Sequence, residues 1–212
     1  FKIKSIKKSG CKMLEKLSKE ELMNLNNARI LYYDFFNGFF VFELLDDRVE
    51  IFQKQLAILK NALLNEEVEA DFLLLENEIS CNGIVNIKDE FSRLFALPFG
   101  EKQVGSHLSH FYENCVGGNS LLQIKALIKK SDIRINSKDF KETEEHLGFL
   151  FGFMRYLIET DNEELAKEVF LYANKAFLGL VSEIKERRDS KYYLALARIL
   201  ESFLKFEGEV YA

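Results

Sequence analysis

Proline is nearly missing from this chain: one residue in 212, Pro98, with only 11 glycines beside it. Proline breaks helix interiors, so a chain that avoids it can keep long helices. Leucine, lysine and glutamate, all good helix formers, are plentiful. Cysteine is scarce too. The three residues, Cys11, Cys81 and Cys115, form no CxxC pair, which argues against a disulfide framework or a zinc site and suits a reducing, cytoplasmic compartment. Long apolar runs are missing as well. The stretches from Phe35 to Leu45 and from Leu147 to Ile158 are broken by Asn37, Glu43 and Arg155, short of the roughly 20 apolar residues that span a bilayer. Stable membrane insertion is therefore not expected. A basic surplus is also lacking. The net charge of −5 disfavours a nucleic-acid binder and favours, weakly, a basic partner.

With 48% hydrophobic and 30% charged residues, the chain has the composition of a globular protein with a full core. Its opening, "FKIKSIKKSGCKM", is lysine-rich without the apolar stretch of a secretory signal. Residues 1–17 are expected to be flexible, and 18–212 to form one all-helical domain.

Helical periodicity recurs along that domain. Ser18-Lys-Glu-Glu21 reads as a capping box opening a stripe of Leu22, Leu25, Arg29, Tyr32, Phe36 and Phe39, with a kink or stop allowed for at Asn37-Gly38. Val49, Phe52, Leu56, Leu59 and Leu63 recur at three and four. Glu66 to Ile79 predicts a third helix ended by "CNG", and Asn86 a cap for a fourth. A long irregular stretch follows, "LPFGEKQVGSHLSHFYENCVGGN", with a short helix near His107 to Glu113; such loops inside compact domains usually carry function. Asn119 or Ser120 caps the next helix, Asp161 a long one, and Ser190 starts the last. The reading is a single all-α bundle of about eight to ten helices.

One helix stands apart: "ETEEHLGFLFGFMRYLIET", residues 142–160. From Leu147 to Ile158 it is apolar on nearly every face, as befits a helix surrounded by others. Gly148 and Gly152 lie four apart, room for a neighbouring helix. Its mouth carries Glu142, Glu144, Glu145 and His146. Acids favour helix N-termini through the dipole; a carboxylate on a rigid helix also suits a guanidinium held by two hydrogen bonds. Other constellations carry less. His107, His110 and Cys115 lack a further metal ligand or an arranged catalytic base, and "VGGNS" before a helix offers amides to a phosphate but lacks the GK[ST] ending.

The order "DEFSRLFALP", a glycine-bearing loop, "SLLQIKALIKKSDIRI" and "ETEEHLGFLFGFMRYLI" resembles the TorD/DmsD family of cytoplasmic chaperones for molybdenum oxidoreductases. "NARILYYDFFNGFF" is similar to that family's first helix, and "ELAKEVFLYANKAFLGLVSEI" with "SKYYLALARILESFL" to its last two. The likeness runs over roughly residues 22 to 206. It implies a TorD-like fold, no catalysis, no cofactor and no metal. It also implies binding of the twin-arginine signal peptide of a molybdopterin oxidoreductase precursor, of DMSO/TMAO reductase or formate dehydrogenase type. Such a chaperone holds the precursor for cofactor insertion before export, as a monomer or homodimer. By motif, Glu145 takes the aspartate position and His146 the histidine of a "Glu-x-x-Asp-His-Leu-Gly" pattern. Leu97, Pro98, Phe99 and Gly100 help line the peptide groove, with Glu142, Glu144 and His107 as further candidates. Departures are Glu145 for aspartate, Phe91 where tyrosine is common, "HLSHFYEN" in the loop, and the lack of tryptophan. Two alternatives stand beside this: a weak nucleotide-binding or hydrolysing protein, and an oligomeric helical scaffold without a client.

Overall fold

Ser18 opens α1 (Lys19–Phe40) as the capping box predicts. Its hydroxyl accepts from the Glu21 N–H at 3.3 Å, and the Glu21 carboxylate accepts from the Ser18 N–H at 2.9 Å. The computed structural model describes residues 17–97, 101–134 and 140–212. The expectations for the N-terminal segment 1–16 and for Pro98, Phe99 and Gly100 therefore fall outside the described residues. α1 does not stop at Asn37-Gly38. A Cβ on Gly38 would lie 2.5 Å from the Phe52 ring, so the glycine lets α2 (Val49–Leu59) close onto α1.

A tight turn at Glu66–Val68 leads into α3 (Glu69–Asn82), which ends at Gly83 with φ of 67°. α4 (Val85–Phe91) runs into a single π turn, Ser92–Ala96. The remaining elements are α5 (Leu108–Glu113), α6 (Asn119–Ile128), α7 (Leu147–Glu159), α8 (Glu163–Glu186) and α9 (Tyr192–Tyr211). Nine α-helices and no strand occur among the described residues, within the range that the periodicity gives.

α7 is the central rod. Phe151 packs between Phe36 and Phe40 of α1, at 5.6 and 5.7 Å between ring centroids, and Phe177 of α8 at 4.5 Å. Phe36, Phe151 and Phe177 are fully buried, and burial of each side chain stabilises the fold by about 2–3 kcal/mol. The two glycines act as expected. A Cβ on Gly148 would meet the Phe40 carbonyl oxygen at 2.4 Å, and one on Gly152 the Asn37 amide at 2.9 Å. Asn37 also donates to the Gly148 carbonyl at 2.9 Å.

α9 lies antiparallel to α1. The Tyr193 hydroxyl donates to the Phe39 carbonyl at 2.7 Å, while Arg29, early in α1, meets Glu207, late in α9. Arg29 is the one charged member of the α1 stripe, and it is fully buried. It donates to Glu207 at 2.8 and 3.3 Å, to Glu163 at 2.5 Å, to Asn26 at 3.0 Å, and to the Tyr211 hydroxyl. Burial opposes its charge, but Glu207, Tyr211 and Glu163 outweigh that and hold its pKa above the usual arginine value.

Several helix starts differ from the sequence expectation. Asn86 lies inside α4 and donates to Glu78 at 2.7 Å instead of capping. α8 begins without a side-chain cap, and Asp161 takes a left-handed backbone conformation. α9 is capped from a distance: the Glu90 carboxylate of α4 accepts from the N–H groups of Lys191, Tyr192 and Tyr193 at 2.9, 3.2 and 2.8 Å.

Candidate functional site

The acids of residues 142–145 precede α7 rather than forming its first turn, because the helix starts only at Leu147 with His146 as N-cap. They sit in a turn closed by the His146 N–H donating to the Thr143 carbonyl at 3.0 Å. Beside this turn runs a strap, residues 104–118, that includes α5. Val104 N–H donates to the Leu94 carbonyl at 2.9 Å and anchors the strap to the π turn after α4. Leu108 N–H then donates to the Glu145 carbonyl at 3.0 Å, and Leu147 N–H to the Ser106 carbonyl at 2.8 Å. His107 and His146 thus face each other across a one-residue antiparallel bridge.

Glu145 is the pin of this arrangement. Its carboxylate is fully buried. One oxygen accepts from the Ser109 N–H at 2.8 Å and from the Ser109 hydroxyl; the other accepts from the Gly117 N–H at 2.7 Å. Ser109 in turn accepts from Gly118 N–H at 3.0 Å. In this conformation both Glu145 oxygens are committed to the strap, so neither is offered to a partner.

His146 is buried as well, 6% exposed, and its Nδ1 has no hydrogen-bond partner among the described residues. Burial, and secondarily His107, lowers its pKa to about 3; the ring is neutral at ordinary pH. It borders a small cavity of about 10 Å³ with Phe40, Phe91, Phe95 and Ser106, at the lower limit for one water molecule.

The surface of the mouth belongs to other residues. Glu142 is about half exposed, and its carboxylate lies 3.1 Å from His107 Nε2. Glu144 meets Lys125 of α6 at 3.4 Å. Leu97, after the π turn, is 44% exposed. The structure thus brings Glu142, Glu145, His146 and His107 together, with Glu144 turned to α6.

His107 and His110 do not converge on a common ligand: His110 Nε2 lies 2.8 Å from Glu183 of α8. The same Glu183 accepts from Gly105 N–H at 2.7 Å, and a Cβ on Gly105 would collide with the His110 ring at 2.0 Å. The amides of "VGGNS" are also taken. Glu113, at the end of α5, accepts from Asn119 and Ser120 N–H, each at 2.7 Å, and from the Ser120 hydroxyl at 2.6 Å. Those bonds hold its carboxyl below the usual carboxylate range. Neither Asn119 nor Ser120 caps α6; Glu113 does. Sequence reasoning missed Ser109, Glu113 and Glu183 because each acts on a residue it meets only after folding. The one legible signal was the glycine pair 117–118, which admits the close turn.

The fold is an all-helical bundle with a strap pinned across the start of its central rod. The family model described as nitrate reductase delta subunit matches residues 53–194. The chain belongs to that family, which comprises chaperones of molybdoenzyme maturation, in keeping with the TorD/DmsD resemblance. Searches of curated proteins and of solved structures each found no match. Among the described residues, no helix is long and apolar enough to cross a membrane.

Proposed function

We propose that this protein is a cytoplasmic, non-catalytic chaperone that binds the twin-arginine signal peptide of a molybdopterin oxidoreductase precursor. It holds the precursor for cofactor insertion before export. The client is of DMSO/TMAO reductase, formate dehydrogenase or, following the family's description, nitrate reductase type. Family membership supports the client class. The observation that carries the site is the half-exposed Glu142 carboxylate, held by His107 of the strap at 3.1 Å on a turn fixed to the rigid central helix. A carboxylate so placed receives a guanidinium at little ordering cost. Glu144 adds charge and Leu97 exposed apolar surface. Glu145 and His146 serve the site by fixing the strap, and the segment with Pro98, Phe99 and Gly100 is proposed to complete it.

A nucleotide site at Val116–Ser120 has less support, since Glu145, Ser109 and Glu113 already occupy the amides from Gly117 to Ser120. Calorimetric titration with a synthetic twin-arginine leader tests the proposal. Binding is expected, weakened about three- to tenfold by the Glu142→Gln, Glu144→Gln double variant, since exposed ion pairs contribute up to about 1 kcal/mol each. Replacing both leader arginines by glutamine should have an effect at least as large. No heat of binding, or equal binding of both peptides, sinks the reading.

A further inference from the structure

A second, larger depression lies away from the strap. It occupies about 1310 Å³ between the α2–α3 connection and helices α8 and α9, beyond the range of about 300–1,000 Å³ usual for small-molecule sites. Its walls combine apolar side chains, among them Leu64, Phe206 and the half-exposed Leu178, with the carboxylates Glu67 and Glu209 and the cation Lys205. Two ion pairs also stand on its walls: Asp71 with Arg198 at 3.3 Å, and Glu201 with Lys185 of α8 at 3.0 Å.

Gly208 marks the same groove. It sits inside α9, where glycine costs about 1 kcal/mol against alanine. At Gly148 and Gly152 that cost is explained by a neighbouring helix within 3 Å of the Cβ position. At Gly208 no described residue lies within 4 Å; among the described residues the space beside this stretch of α9 backbone is open. Asn174, on the facing helix, has a buried side-chain oxygen without a hydrogen-bond partner among the described residues. The α9 wall, residues 198–209, lies beyond the stretch matched by the family model, while the facing residues 63–71, Asn174 and Leu178 lie within it.

We propose that this groove is a second peptide-docking site, which takes a polypeptide segment with an apolar body and lysine or arginine flanks. The carboxylates select the flanks, the leucines and phenylalanine the body, and Gly208 lets the segment approach α9. A segment of this chemistry is what the function proposed above supplies, so the inference rests on that reading for its partner but places the contact at a separate surface.

The test uses the full chain and the synthetic twin-arginine leader, with a photoreactive phenylalanine analogue in its apolar stretch. In the Glu142→Gln, Glu144→Gln background, Gly208→Trp is expected to weaken binding about tenfold or more. The Glu67→Lys, Glu209→Lys pair should do the same, with thermal midpoints unchanged. Gly208→Ala should leave affinity within about twofold, and cross-links should fall on residues 63–71 and 201–209. If the leader binds but ignores both groove variants, and cross-links only to residues 104–118 and 140–147, the groove proposal is overturned and the chaperone reading stands. If the leader does not bind the wild-type chain, both fall.

Discussion

Glu145 shows how one buried carboxylate can organise a whole strap of backbone. It accepts from Ser109 N–H, Ser109 Oγ and Gly117 N–H, so its removal leaves several buried donors unpaired. Glu145→Ala is expected to lower the unfolding free energy by about 3 kcal/mol, read by urea denaturation. Amide exchange should accelerate first at Ser109 and Gly117, while α9 stays protected. Its neighbour His146 makes stability depend on pH. The folded chain holds this imidazole at about 3 through burial and the proximity of His107; an unfolded histidine titrates near 6.5. Below about 6.5 the unfolded chain takes up a proton that the folded chain refuses. Stability therefore declines as pH falls from about 6.5 toward 3, by up to about 1.4 kcal/mol per unit from this group. His146→Gln should flatten the profile between about pH 6.5 and 4; an unchanged slope would show that the ring is not buried neutral.

Among the helices, close approach and remote capping decide the architecture. Gly148 lets α7 lie against the Phe40 carbonyl, so Gly148→Ala forces the two rods apart. It is expected to cost about 2–3 kcal/mol despite the gain in helix propensity; Gly208→Ala, with open space at its Cβ, should instead stabilise by up to about 1 kcal/mol. Paired thermal melts would separate the two glycines, which look alike in sequence. What sequence shows about these elements follows from range. The apolar stripes, the Ser18 box, the Gly83 stop and the crowded Gly148 and Gly152 depend on residues within a turn or two, or on a periodicity, and were legible. The starts of α6 and α9 were assigned to Asn119 or Ser120 and to Ser190, because local rules look for a cap beside the helix. Both are capped instead by glutamates from other elements, Glu113 and Glu90. At the mouth, the motif marked the turn that precedes α7. It could not reveal that Glu145 faces inward and Glu142 outward, since that depends on where the strap crosses.

For the whole molecule, the decisive contact joins α1 and α9. Arg29 and Glu207 are both fully buried. Burial raises the Glu207 pKa while Arg29 pulls it back. Breaking such a pair by removing one partner typically costs about 3–5 kcal/mol, because the other charge is left stranded. Arg29→Met should cost that much in chemical denaturation. Arg29→Met with Glu207→Leu should recover a large part of it, as a double-mutant cycle would register. If the double variant is no better than Arg29→Met, the pair is not coupled as drawn.

The same contact has a bearing on synthesis. During synthesis Arg29 emerges 178 residues ahead of Glu207, and until then its guanidinium finds no interior carboxylate in α9. Every shorter nascent chain therefore carries an aromatic-rich helix that it cannot finish burying. Cooperative closure waits for α9, and polypeptides interrupted before it should be the ones that aggregate or are degraded.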